Sequence, residues 1–201
     1  QGVQALKLLK EISDTGPAGI PSYGQGEMMT AFLQGQASMY LDATVIFGPV
    51  NDPARSKVAG KVSYIAHPKG VRYSSQSGGL GLAIPKNAKN ADAGFLLMQW
   101  LTSKAQDVAV CKLGGGPTRN STMVNADLVR QYPEYITLKE QLKYSDPDWR
   151  PIIPEWDEIN IQALGVAVSE ALTGKKTAEE ALNGMIPKVT DIMKRGGYLK
   201  S

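Results

Sequence analysis

The chain has 201 residues, 42% of them hydrophobic and 20% charged, with a formal net charge of +3. Those values describe an ordinary globular chain, long enough for one large domain or two small ones. The basic residues are scattered, with pairs such as Lys175-Lys176 and Lys194-Arg195 but no basic stripe, so no nucleic-acid partner is expected. The longest apolar runs, such as residues 94–98, fall far short of the ~20 residues that span a bilayer.

Residues 2–14 read as an amphipathic helix, with Val3, Leu6, Leu9 and Ile12 as its apolar row. The start of the chain lies within this helix, as in a mature or truncated protein, so the lack of a leader does not argue for the cytoplasm. Glycines and prolines make 15–26 a loop, and a second helix is expected from about Glu27 to Gln34, stopped by Gly35. Residues 37–42 read as a short strand. A helical turn and short helix broken by Pro49 and Pro53 come next. Residues 61–68 alternate like a strand that ends at Pro68. After a polar loop, 80–85 is expected to be a strand, and Asn90 to cap a very apolar helix in which Trp100 is a core residue. Ser103 and Gln106 fit a capping box for the next helix, and 114–122 is a tight loop. Two helices broken near Pro133 lead to an extended stretch. A long helix then runs from about Pro154 to Thr173, ended by Gly174. Thr177 and Glu180 form a second capping box for a last helix over about 178–195, with Pro187 inside it. Helices interleaved with short strands make an α/β pattern.

Little in this chain supports catalysis. It has one cysteine, Cys111, and one histidine, His67, so neither a disulfide nor a zinc site nor a Cys–His or Ser–His–Asp arrangement is expected. No G-x-S-x-G elbow is present. The glycines at 78, 79 and 81 precede a strand and have no G-K-[ST] behind them, which excludes a phosphate-binding P-loop. What they offer is a backbone free to bend, or to let another group approach closely.

Six blocks in order carry a resemblance: EMMTAFLQGQASMYLDAT, GKVSYIAHPKG, GGLGLAIPKNAKNADAGFLLMQWLTSKAQDVAV, GGGPTRNST, RPIIPEWDEI and EALTGKKTAEEAL. Together they resemble the C-terminal half of an extracellular solute-binding protein of the sugar-binding family. The LDAT and DPARSKVAGKV elements are more similar to the polyol and monosaccharide branch than to the maltose branch. The resemblance implies an α/β fold: the C-terminal lobe of a two-lobed periplasmic-binding-protein fold, with a segment that belongs to the N-terminal lobe in the parent. It divides the chain into residues 1–76 of the C-terminal lobe, 77–132 returning to the N-terminal lobe through the hinge, and 133–201 of the C-terminal lobe again. It also implies a substrate-binding component of an ABC importer, periplasmic or, in the full-length parent, a membrane-tethered extracellular lipoprotein. Its partners are then a sugar or polyol and the importer's membrane subunits. No enzymatic activity and no cofactor or metal is expected.

A sugar pocket needs hydroxyl-binding polar groups and an apolar or aromatic face. Asp42 and Thr44 lie in the turn that faces the cleft in the family, though Asp42 also suits a helix N-cap. Gly78 and Gly79 match the family's cleft-lining crossover, where Leu80 stands in place of a frequent aromatic. Arg119 reads either as a ligand contact or as a surface ion-pair partner. Arg150, Trp156, Asp157 and Asn160 cluster at the start of the long helix. There Trp156 is the stacking candidate or else a core residue of that helix. Two other readings stand beside this one. In one, a glycoside-processing enzyme uses carboxylates among Glu155, Asp157 and Glu158; these equally suit the first turn of a helix. In the other, the chain is an isolated fragment that binds nothing alone because half the cleft is missing.

Overall fold

The structure is a computed structural model that describes residues 1–199. Its described residues form two compact units, one of residues 1–28 with 150–199 and one of residues 29–149.

The first unit is helical. Helix α1 (Gly2–Asp14) packs on α10 (Gly165–Leu172) and α11 (Ala178–Arg195). Leu6, Ala167, Ala171, Ala178 and Ala181 form its core, and four small alanines let the helices approach closely. Of the apolar row expected on α1, Leu6 is buried and Val3 packs against this core, but Leu9 and Ile12 are exposed. The reason is geometric. Steps of three residues fall about 60° short of a full turn, so a row extended from Val3 to Ile12 winds to the opposite side. The expected long helix is present as α9 (Trp156–Glu158), a wider π turn (Ile159–Leu164) and α10, closed by Gly174 at φ 73°. Helix α11 begins with the expected capping box: Thr177 Oγ1 accepts from the Glu180 amide, and Glu180 Oε2 accepts from the Thr177 amide. Pro187 lies inside α11.

In the second unit, α2 (Gln25–Leu33, which begins in the first unit) ends at Gly35 with φ 76°. A 3-10 turn (Thr44–Ile46) leads into α3 (Phe47–Asn51). Then come β1 (Ser75–Gln76), α4 (Ala91–Leu101), α5 (Lys104–Lys112), α6 (Asn120–Met123), α7 (Ala126–Gln131), α8 (Glu134–Leu142) and β2 (Ser145–Asp146). Two clusters hold it together. Phe32, Leu33, Ile46 and Val50 form one, and Cys111, Leu128 and Tyr135 the other, with Phe47 packed against both. Cys111 is fully buried, as a small hydrophobe. At α5, Ser103 Oγ accepts from the Gln106 amide at 3.4 Å, which is half of the expected box.

The expected strands at 37–42, 61–68 and 80–85 do not form. Among the described residues the only ladder is the two-residue parallel pair β1–β2, Ser75 with Ser145 and Gln76 with Asp146. A strand exists through its neighbour's hydrogen bonds, and among the described residues these segments have no such neighbour. The side-chain pattern survives nonetheless. Exposure alternates from Lys61 to Ala66, with Val62 and Tyr64 turned to the core and Ile65 outward. Trp100 also departs from expectation: it is 55% exposed, and α4 buries none of its residues.

Candidate functional site

Of the sequence-derived site residues, Asp42 and Thr44 lie on the 42–51 turn of the second unit, and Trp156 and Asp157 at the start of α9 in the first.

In the second unit, Asp42 accepts a hydrogen bond from the Tyr40 hydroxyl at 2.8 Å. It does not cap the following turn, whose N-cap residue is Ala43 and carries no side-chain cap. Burial, reinforced by the Asp42 hydrogen bond and charge, keeps the Tyr40 phenol protonated far above its ordinary range. Thr44 opens the turn and is exposed. The turn is fixed from beneath. Phe47 meets Tyr64 edge-on at 5.3 Å between centroids. Asn51 Nδ2 donates to the Phe47 carbonyl at 3.3 Å, to Tyr64 Oη at 3.1 Å and to Glu134 Oε1 at 2.9 Å. Glu134 is 1% exposed, at the start of α8. Burial raises its carboxyl above the usual range, against its own backbone N–H and Asn51, which lower it. Burial and the Glu134 charge push Tyr64 up to about 12. On its other side the turn meets the glycine loop: a Cβ at Gly48 would stand 2.2 Å from the Gly114 carbonyl oxygen. Asp42 and Thr44 are therefore carried on a braced element, as a hydroxyl-recognition site requires.

Gly78 and Gly79 are exposed, have no positive φ, and have nothing within 4 Å of a built Cβ. Neither backbone strain nor close approach accounts for them here. Arg119 donates through Nη2 to the Thr102 carbonyl, the C-cap residue of α4. Its guanidinium thus serves a helix end, and the side chain is only half-buried. The loop before it is held by Asp107 of α5, whose Oδ1 accepts from the Thr118 amide at 3.1 Å and the Thr118 hydroxyl at 2.6 Å.

In the first unit, Arg150 is exposed, Trp156 half-buried at the head of α9, and Asp157 exposed in its first turn. The Trp156 indole Nε1 is buried with no acceptor among the described residues. Helix α11 clamps this helix start. Arg195 Nη2 donates to Glu158 at 2.7 Å while its Nε donates to Asp191 at 3.1 Å. Glu155 packs so tightly on Gly196 that a Cβ there would stand 2.8 Å from Glu155 Oε1. Glu155 and Glu158 are thereby engaged in structure. The π turn at Ile159–Leu164 follows directly; such turns re-aim the residues beside them and recur at functional sites.

Sequence reading missed Asn51, Tyr64 and Glu134. Tyr64 was legible only as an inward position of an alternating segment, and Glu134 only as the residue after a helix-breaking proline. Among the described residues no group of three or more His, Cys, Asp or Glu side chains is placed to hold a metal ion, and no helix is long and apolar enough to cross a membrane.

Residues 2–108 match the model of the bacterial extracellular solute-binding protein family. A mannitol-binding protein of Pseudomonas aeruginosa is 32% identical over 92% of this chain and 46% of its own length. A probable amino-acid ABC transporter periplasmic-binding protein of Sinorhizobium fredii is 28% identical over 100% of this chain and 45% of its own. Among solved structures, an ABC transporter solute-binding protein of Agrobacterium radiobacter K84 in complex with ribitol superposes with a TM-score of 0.85. It is 30% identical, and the match covers 94% of this chain and 49% of that one. The chain thus spans about half the length of the relatives it matches, and its fold is that of a periplasmic binding protein over that half. With the match running over residues 2–108, more than half of the chain, this polypeptide belongs to the bacterial extracellular solute-binding protein family.

Proposed function

We propose that this polypeptide is half of the substrate-binding component of an ABC importer for a sugar or polyol. The observation that carries this reading is its likeness to the ribitol complex, over 94% of the chain at a TM-score of 0.85. The mannitol-binding relative points to the same chemistry. Ligand is held in the cleft between two lobes, which close around it by hinge motion. Asp42 and Thr44 bind hydroxyls, and Trp156 offers its ring face and an indole N–H that has no other acceptor among the described residues. Asp157, Arg150 and Arg119 supply further polar contacts, and Gly78 and Gly79 supply backbone groups. Residues 77–132 belong to the N-terminal lobe, reached through the glycine stretch, while 1–76 and 133–201 belong to the C-terminal lobe. The protein works outside the cytoplasmic membrane, in the periplasm or tethered to the membrane by a lipid, and hands its ligand to the importer's membrane subunits. Binding without turnover is its whole activity.

The Sinorhizobium relative's name favours a second reading, an amino acid as ligand. Calorimetric titration separates the two. Ribitol, D-mannitol, monosaccharides and amino acids are titrated into this chain and into a longer chain spanning a relative's full length. The proposal expects polyol or sugar binding by the longer chain, weakened at least tenfold by Asp42→Ala or Trp156→Ala (about 1.4 kcal/mol). Binding of amino acids alone, or hydrolysis of a glycoside, overturns it.

A further inference from the structure

One face of α8 holds segments that no strand pairing secures. Glu134, Thr137 and Gln141, spaced three and four residues apart, share that face. Thr137 Oγ1 donates to the Tyr64 carbonyl at 3.4 Å, and Gln141 Oε1 accepts from the His67 amide at 2.6 Å. Glu134 Oε1 accepts from Asn51 Nδ2 at 2.9 Å, so the row also grips the end of α3. Glu134 is the titratable member of the row, and it is 1% exposed. Its other oxygen, Oε2, is buried with no hydrogen-bond partner among the described residues. Asn51 Nδ2 has two hydrogens but three oxygens in reach: Glu134 Oε1, Tyr64 Oη at 3.1 Å and the Phe47 carbonyl at 3.3 Å. An ionised Glu134 therefore competes for donors that α3 also uses. The titratable groups facing it are the phenols of Tyr64, of Tyr132 at the end of α7 and of Tyr135 beside it on α8, with the Cys111 thiol of α5 packed against Tyr135. None of these is a cation, and its charge is favoured by Asn51 and its own backbone N–H. A buried carboxylate so placed is relieved by any motion that admits water, and the motion at hand is release of Asn51.

We propose that Glu134 is a proton-operated brace of the 42–51 turn. With its proton on, Asn51 holds α3 and the turn in place; with its proton off, that hold opens, Asp42 and Thr44 lose their fixed placement, and ligand affinity falls as pH rises. The turn and α3 move as one piece, because the Phe47 amide donates to the Thr44 carbonyl while Ile46 and Val50 are buried. Burial lifts the Glu134 carboxyl above its ordinary 4.5 in the braced state. The brace is therefore at full strength below that ordinary value and weakens as pH climbs through the raised one. The consequence for ligand rests on the reading of Asp42 and Thr44 as hydroxyl-binding groups; the effect on the turn does not.

Glu134→Gln copies the neutral acid and does not titrate. Amide exchange over 44–51 is measured in this chain and in the variant at pH 5 and pH 8, corrected for the intrinsic effect of pH on exchange. Relative to the variant, the parent is expected to lose about fivefold or more of its protection across that range, with α11 unchanged. Ribitol and D-mannitol are then titrated into a longer chain spanning a relative's full length, with and without the substitution. From pH 5 to pH 8 the parent's Kd is expected to rise about threefold or more relative to the variant's, every other titrating group being shared. Asn51→Ala is expected to abolish the pH effect on the turn, which is then loose at both pH values. Identical pH profiles in parent and Glu134→Gln overturn the proposal, as does protection lost equally in α11. A turn that loosens with pH while the ratio of Kd values stays flat overturns the link to ligand. If the longer parent chain binds neither polyol, the ligand reading falls alone, and the exchange comparison still decides the brace.

Discussion

Replacing Asp107 by Ala tests how the loop carrying Arg119 is held. Asp107 is 7% exposed, and its Oδ1 takes both the amide and the hydroxyl of Thr118. Hydrogen bonds to a charged acceptor contribute about 1.5–3 kcal/mol each. Allowing for partial rescue of Thr118 by water, the expected loss is about 3 kcal/mol, or a Tm about 6–12 °C lower for a chain of this size. Asp107→Asn keeps the acceptor but not the charge, and should lose roughly half as much. The pH dependence has a definite sign. Burial raises the Asp107 carboxyl, but hydrogen bonds from the Thr118 and Thr122 side chains and the Thr118 and Arg119 amides outweigh it and leave it below 3.8. A depressed folded value stabilises above the unfolded carboxylate range, and that contribution disappears as pH falls through the folded value. The gap between parent and Asn variant, read from urea unfolding, should therefore be full at pH 7 and close below about pH 4. A loss under about 0.5 kcal/mol for Ala, or an Asn gap that stays constant down to pH 3, refutes the reasoning.

Three further outcomes are expected from the structure. Gly48→Ala places a methyl 2.2 Å from the Gly114 carbonyl oxygen, backbone against backbone. It should cost about 2–4 kcal/mol in urea unfolding; a neutral variant shows that the approach is not structural. Glu134 has a raised folded value, so the native state holds its proton longer than the unfolded chain, and stability falls as pH rises through that window. Glu134→Gln does not titrate, so its stability relative to the parent should improve from pH 4 to pH 8; a flat difference counts against burial as the cause. Thr177→Ala removes the α11 capping box and should lower stability by about 1 kcal/mol, with faster amide exchange confined to the first turn of α11.

Local signals were legible where local physics decides. Gly35 and Gly174 were readable as helix stops and take positive φ. Thr177 and Glu180 cap as their spacing requires. Pro133 separates α7 from α8. The strands were legible as patterns but not as structure, because pairing is non-local and alternation at 61–66 says nothing about whether a neighbour is present. Trp100 departs for a related reason: an apolar helix shows that its side chains favour burial, not which residues bury them. Within the candidate site, Asp42 and Trp156 were legible by residue type, but the Tyr40 hydroxyl on Asp42 and the bracing of its turn by Asn51 and Glu134 were not. The latter joins residues 83 positions apart, a separation that no periodicity encodes.

The most direct measurement is a crystal structure of the full-length protein, spanning a relative's whole length, grown with ribitol or D-mannitol. The account predicts a bound polyol with hydroxyls on Asp42 and Thr44. A ligand bound elsewhere, or an amino acid retained in the cleft while polyols are refused, contradicts it.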